Sequence, residues 1–204
     1  LREVSNVTRL LDRASVLESG VPNYFGEQRF GQSFGNLHSG LAILSGELVE
    51  RQRNKRSMYI SALRSYLFNR VISTRIDQGA WSIPLSGDVL IEDFTQKVQR
   101  YDADDTTQKE RFDQCDLHLT APMWGQGELY SLDKAQKIEK SVVAGYPQIT
   151  EGLESLGLRQ ERRSMRLVPR DLDVEVLEEQ VVKLSFSLPS GSFATSILRE
   201  LCVW

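Results

Sequence analysis

Little in this chain points to cross-links, metals or membranes. Only two cysteines occur in 204 residues, Cys115 and Cys202, far apart and in no paired motif. A disulfide framework is therefore excluded, and reduced thiols in a cytoplasmic protein are the default reading. The two histidines, His38 and His118, do not make a metal centre, and the lone Cys-x-x-His from Cys115 to His118 has no second pair. No apolar run approaches the length of a membrane span, and no signal peptide is recognisable. The two glycines of Gly125-Gln126-Gly127 are not a G-x-G-x-x-G fingerprint. The acidic stretch from Asp102 to Asp116 lacks the ligand register of a calcium loop. An initiator methionine is missing too, which suggests part of a longer protein. What remains is ordinary for one or two soluble domains: 40% hydrophobic and 26% charged residues, with a net charge of −3.

Against that background one stretch stands out, Gly20-Val21-Pro22-Asn23-Tyr24-Phe25-Gly26-Glu27-Gln28-Arg29-Phe30-Gly31. Its aromatics, glycines, amides and arginine suit neither a core strand nor a surface helix. Asn23 and Gln28 can each donate and accept hydrogen bonds, as reading a base edge requires. Tyr24, Phe25 and Phe30 offer stacking faces, and Arg29 a charge for phosphate. The same residue types also suit an aromatic turn that plugs a core. A second anomaly is the absence of acid between Arg51 and Arg75. Arg51, Arg53, Lys55, Arg56, Arg64, Arg70 and Arg75 place seven positive charges in 25 residues of an acidic protein. Four of them open a helix, where the macrodipole disfavours cations without an anion. Phosphate contact is the functional reading and a solvated basic face the bland one; Arg64, among apolar residues, reads as a buried ion-pair partner.

Periodicity supplies the rest. Leu1–Val4 reads as a strand end. Asn6 caps a helix carrying Val7, Leu10, Leu11, Ala14 and Leu17, and Gly20 stops it. A second helix spans about Asn36 to Val49, with His38 near its start, and a third carries the basic run. Gly79–Asp88 is turn-rich, with Asp88 structural, and Val89–Ile91 is a short strand. The polar segment Gln96–Asp116 reads as surface, with a short helix at most. Leu119–Gly127 reads as a loop anchored by Trp124. Helices follow at Leu132–Gly145, with Ser131 as cap, and at Ile149–Leu158, then a second basic cluster from Arg159 to Arg170. Met165–Pro169, Asp173–Val176 and Val181–Leu188 read as strands. Pro189-Ser190-Gly191 turns the chain into a helix running to Trp204. Phe193 sits at that junction, as an exposed contact or as a core anchor.

The string Asn23-Tyr24-Phe25-Gly26-Glu27-Gln28-Arg29-Phe30-Gly31 resembles the N-Y-F-G-x-Q-R-F-G motif of the tRNA pseudouridine synthase D (TruD) family. Leu188-Pro189-Ser190-Gly191-Ser192-Phe193-Ala194-Thr195-Ser196-Ile197-Leu198-Arg199-Glu200 resembles the same family's C-terminal motif. Arg53-Asn54-Lys55-Arg56-Ser57, with Ala62 to Asn69, resembles the segment between them. The resemblance implies an α/β (α+β) fold, with a pseudouridine synthase-like catalytic domain and an inserted α/β TRUD domain. Residues 1–48 and 168–204 would belong to the first and residues 49–167 to the second. It implies isomerisation of a tRNA uridine, at the family site uridine 13, with no cofactor and no metal, by a cytoplasmic monomer whose partner is tRNA. Asn23 matches the asparagine that binds the target nucleotide, Phe193 the phenylalanine that packs against it, and Phe25 a wall of the pocket. Arg29, Arg51, Arg53, Lys55 and Arg56 are then expected near tRNA phosphates. The family's nucleophilic aspartate lies in an upstream G-x-K-D motif, which these residues do not contain, and an upstream pocket phenylalanine is missing as well. No catalytic residue is therefore assigned, and the 204 residues alone are expected to be inactive. The alternative is a non-catalytic RNA-binding module on the same scaffold.

Overall fold

Helical spacing in the first segment becomes α1 (Val7–Val16), which buries Leu10 and Ala14 and runs through a 3-10 turn at Leu17–Ser19. The computed structural model describes residues 7–93, 95–178, 180–189 and 191–201. The expected Leu1–Val4 strand, the Asn6 cap, Ser190, Cys202 and the helix end at Trp204 lie outside the described residues. After α1 come β1 (Val21–Pro22), α2 (Glu27–Phe30), α3 (Gly35–Leu44), α4 (Arg53–Asp77), β2 (Val89–Glu92), β3 (Val98–Arg100) and α5 (Thr106–Asp113). The chain continues with β4 (Leu117–Met123), α6 (Asp133–Val143), α7 (Pro147–Ser155), β5 (Glu161–Ser164), β6 (Arg166–Leu167), β7 (Arg170–Glu178), β8 (Val181–Ser187) and α8 (Ala194–Leu201). The fold is mixed α and β, and it divides into two compact units, Leu1–Asn23 with Arg166–Trp204, and Tyr24–Met165.

In the first unit, β1 pairs antiparallel with β6, setting Val21 opposite Leu167. β7 and β8 form an antiparallel hairpin with Val174 opposite Leu184. The strand expected at Val181–Leu188 forms and alternates: Val182, Leu184 and Phe186 are buried or half-buried, while Lys183, Ser185 and Ser187 are exposed. That face packs with Ala14, Leu17, Val21, Leu167, Ile197 and Leu201 into one core. Gly20 ends the first helical segment at φ +89°, and a Cβ there would stand 2.7 Å from Arg166 Cγ, so both backbone angle and space require glycine.

The second unit is built around α4. Its Leu63, Leu67, Phe68 and Ile72 are almost fully buried, each stabilising by about 1.5–3 kcal/mol. α3, α6 and α7 pack on one side, joining Leu37, Leu41, Val143, Ile149 and Leu153 to the α4 core. α3 approaches closely because Gly40 has no side chain; a Cβ there would meet Tyr59 O at 2.7 Å and Leu63 Cγ at 2.8 Å. An antiparallel sheet in the order β3-β2-β4-β5 completes the unit. Two buried ion pairs brace it. Arg75 meets Asp88 at 2.8 Å, with side chains only 3% and 1% exposed, and Asp88 also accepts from Leu85 N–H. Asp88 is therefore structural, as its turn context predicts. Arg162 meets Glu139 at 2.8 Å and donates to Thr120 O.

Several sequence expectations change. The polar segment Gln96–Asp116, read as surface with a short helix at most, opens on a strand, β3, ahead of the short helix α5. The helix expected to Val49 stops at Leu44, where Ser45 and Gly46 turn the chain and leave Leu48 outside. Of the loop expected at Leu119–Gly127, Leu119–Met123 is instead the end of β4, and Trp124–Gly127 follows outside the strand. That strand is buried along nearly its whole length, the polar His118 and Thr120 between its apolar residues included. Pro122 is tolerated because it lies past the pairing with β2, which ends at Leu119. The cap of α6 is Leu132, not Ser131, whose hydroxyl instead bonds Glu139.

Candidate nucleic-acid interface

The motif begins where β1 ends. Asn23 closes the first unit's opening segment and is 4% exposed. From Tyr24 onward the motif lies along α4. Phe25 N–H donates to Asn69 Oδ1 at 2.9 Å, and Asn69 Nδ2 donates back to Phe25 O at 2.9 Å. The Tyr24 and Ser73 hydroxyls meet at 3.1 Å. Arg29 Nη1 donates to Ser61 Oγ at 3.1 Å, and Asn36 Nδ2 holds Arg29 O at 3.0 Å. These α4 partners belong to one series with a four-residue step, Ser57, Ser61, Ser65, Asn69 and Ser73. Each four-residue step overshoots a full turn by about 40°, so the series forms a ridge that winds slowly round α4. Small polar residues along that ridge let the motif backbone lie close to the helix. Inside the motif, Glu27–Phe30 forms one helical turn, so the stretch read as a loop is in part helical.

Phe25 is 5% exposed. Its ring meets Phe68 edge-on, with centroids 5.5 Å apart. Two guanidinium groups face it, Arg163 at 4.3 Å and Arg29 at 5.1 Å from the centroid. Burial, with a smaller contribution from neighbouring Arg29, lowers the pKa of Arg163 to about 10. The second basic cluster is therefore not one surface. Arg162 and Arg163 are consecutive on β5 and point to opposite faces, one to Glu139 and one to Phe25. Sequence reasoning missed Arg163 and Asn69 as parts of this assembly. A signal for Asn69 was available in the four-residue step along α4.

The other basic run presents a surface. Arg51 and Gln52 precede α4, and Arg53, Lys55 and Arg56 lie on its first turn, all exposed. Among the described residues, none of Arg51, Arg53, Lys55 and Arg56 has a carboxylate within ion-pair distance. Arg53 and Arg56 border a groove of about 410 Å³; Arg51 and Lys55 lie outside its lining. Arg64 forms part of its wall and is fixed there as the sequence suggested. It donates to Trp124 O at 2.9 Å and Met123 O at 2.8 Å, and pairs with Glu161 at 3.0 Å.

Phe193 belongs to the first unit, immediately before α8, and is half-buried. Its carbonyl accepts from Ser196 N–H at 3.0 Å, closing the first turn. Asn23 and Phe193 thus share a unit, and Phe25 and Arg29 share the other. Among the described residues no group of three His, Cys, Asp or Glu side chains could hold a metal ion, and no helix is long and apolar enough to cross a membrane.

The sequence model of the tRNA pseudouridine synthase D (TruD) family matches residues 50–201. The chain belongs to the TruD family. It is 43% identical to the tRNA pseudouridine synthase D of Colwellia psychrerythraea, over 98% of this chain and 57% of that protein. The corresponding enzyme of Pseudoalteromonas atlantica is 45% identical, over 98% and 59%, and that of Hydrogenovibrio crunogenus 41% identical, over 98% and 58%. The chain thus spans less than three fifths of the length of these TruD relatives. A crystal structure from Methanosarcina mazei, provisionally assigned to TruD, shares the fold with a TM-score of 0.66 at 18% identity. It is matched over 94% of this chain and 63% of its own.

Proposed function

We propose that these residues form the tRNA-binding part of a pseudouridine synthase that isomerises a uridine, at the family site uridine 13. Family membership across residues 50–201 carries this reading. The reaction breaks the bond from ribose to N1 of uracil, turns the base over and rejoins it through C5. The target base must leave its stack and enter a pocket. Asn23 would hydrogen-bond the uracil edge, Phe193 would pack against the base, and Phe25 would form part of the wall. Arg29, Arg51, Arg53, Lys55 and Arg56 would neutralise tRNA phosphates. Residues 1–48 and 168–204 are assigned to the catalytic domain and residues 49–167 to the inserted domain. The nucleophilic aspartate is assigned to a part of the enzyme outside these residues, since no G-x-K-D motif occurs among them. The same observation favours the second reading, a non-catalytic RNA-binding module.

Two measurements test the proposal. The 204 residues should bind a tRNA transcript but form no pseudouridine in it; detecting pseudouridine would overturn the assignment of the nucleophile. Phe193→Ala should weaken tRNA binding by about 1–3 kcal/mol if the ring stacks on a base. An unfolded Phe193→Ala protein would make the ring a core anchor instead.

A further inference from the structure

We infer that the groove beside the first turns of α4 seats one nucleotide of the bound RNA. Its phosphate lies between Arg53 and Arg56, and its sugar and base lie on Ile60, Met123 and Leu158. The inference rests on the tRNA-binding reading and adds a specific seat to it. Arg53 and Arg56 stand three residues apart on one helix face, both exposed, so two guanidinium forks reach the same anion. Ser57 adds a hydroxyl beside them. Among the described residues no acidic side chain lines the groove, and Arg64 is already committed to the carbonyls of Met123 and Trp124 and to Glu161. Arg64 therefore shapes the wall, while Arg53 and Arg56 are left to bind.

A phosphate alone does not account for the rest of the groove. Its volume of about 410 Å³ exceeds what an inorganic anion fills, and Ile60, Met123, Leu156 and Leu158 give it an apolar surface. A cationic rim over an apolar floor matches a nucleotide, which is charged at the phosphate and offers a flat π-face at the base. Ser61 also connects the groove to the motif, since it lines the groove and accepts from Arg29.

The test uses the 204-residue chain and a tRNA transcript substituted with 4-thiouridine. Irradiation should cross-link the RNA to peptides carrying Met123 or Leu156–Leu158. In fluorescence anisotropy, Arg53→Gln with Arg56→Gln should weaken binding about tenfold. It should also reduce the slope of log K against log salt by about 0.7–0.9, the contribution of one phosphate. Both side chains are exposed, so circular dichroism should be unchanged. Wild-type binding with cross-links elsewhere and an unaltered slope in the double variant would overturn the seat and leave the tRNA reading standing. Equal displacement of the RNA by polyglutamate, again with cross-links elsewhere, would make the groove a general anion patch and also overturn it. Failure of the unaltered chain to bind tRNA would sink both readings.

Discussion

Replacing Asn69 by alanine tests whether α4 holds the motif in place. The side chain makes a two-point clamp, accepting from Phe25 N–H and donating to Phe25 O, each at 2.9 Å. Truncation removes both bonds and a small volume of packing. A buried backbone group deprived of its partner costs about 1–3 kcal/mol. Asn69 is only half-buried, so water can compensate in part, and the expected loss is about 2–4 kcal/mol. At roughly 2–4 °C per kcal/mol for a chain of this size, the melting temperature should fall by about 4–16 °C. Urea denaturation supplies the free energy, and amide hydrogen exchange supplies the location, because Phe25 N–H should lose protection before the α4 core does. Asn69→Asp keeps the acceptor for Phe25 N–H but sets a carboxylate against Phe25 O, so it should lose most of the same stability. A free-energy change within about 0.5 kcal/mol, the range of an ordinary surface substitution, with wild-type exchange at Phe25, would refute the clamp.

Three further outcomes follow from the packing. Gly40→Ala should destabilise by about 1–3 kcal/mol, because its Cβ would meet Tyr59 O at 2.7 Å and α3 must move off α4. Arg75→Ala should cost about 3–5 kcal/mol by stranding Asp88 in the interior, whereas replacing both partners with apolar residues should cost much less; a double-mutant cycle in urea separates the two cases. The Tyr66 hydroxyl, hydrogen-bonded to Tyr146 at 3.2 Å, has its pKa raised above 10, first by burial and then by that bond. The unfolded state therefore loses this proton first, so the stability Tyr66 contributes is fully present below pH 10 and declines as pH rises through the folded pKa. Ultraviolet titration of tyrosinate in Tyr66→Phe should show one late-titrating group fewer.

Residues whose environment is local were the readable ones. The helix of α4, the Gly20 stop and the alternation of β8 follow from periodicity and backbone freedom, which neighbours along the chain determine. β4 was missed although apolar Leu117, Leu119, Ala121 and Met123 alternate with His118 and Thr120, because Pro122 within the run argues against a central strand. The roles within the Arg159–Arg170 cluster were not legible for a different reason. Charge along a sequence does not reveal that consecutive strand residues face different partners, and here Arg162 is committed to Glu139 and Arg163 to Phe25. Arg64 was legible as structural because its apolar surroundings on a helix already required a partner. The resemblance to the family could name Asn23, Phe25 and Phe193, but it could not show that Phe25 depends on Asn69, a contact spanning 44 residues.

That dependence explains why the motif from Tyr24 onward and the basic helix occur in one unit. Along α4 the winding ridge of Ser57, Ser61, Asn69 and Ser73 serves two purposes in sequence. Its first turns border the groove, while Ser61, Asn69 and Ser73 fix Arg29, Phe25 and Tyr24. A helix rises about 1.5 Å per residue, so the spacing between the groove and the Phe25 clamp is set by a rigid element. Ser57 and Asn69 are 12 residues apart, which places their Cα atoms about 18 Å apart along the axis. Flexible side chains alone could not hold two contacts at a fixed separation. The consequence is that substitutions which bend α4 should disturb both contacts together. Ala62→Pro, which would remove a hydrogen bond from the helix interior and kink it, should weaken RNA binding and deprotect Phe25 N–H in the same protein. Loss of either effect without the other would show that the two ends of the helix act independently.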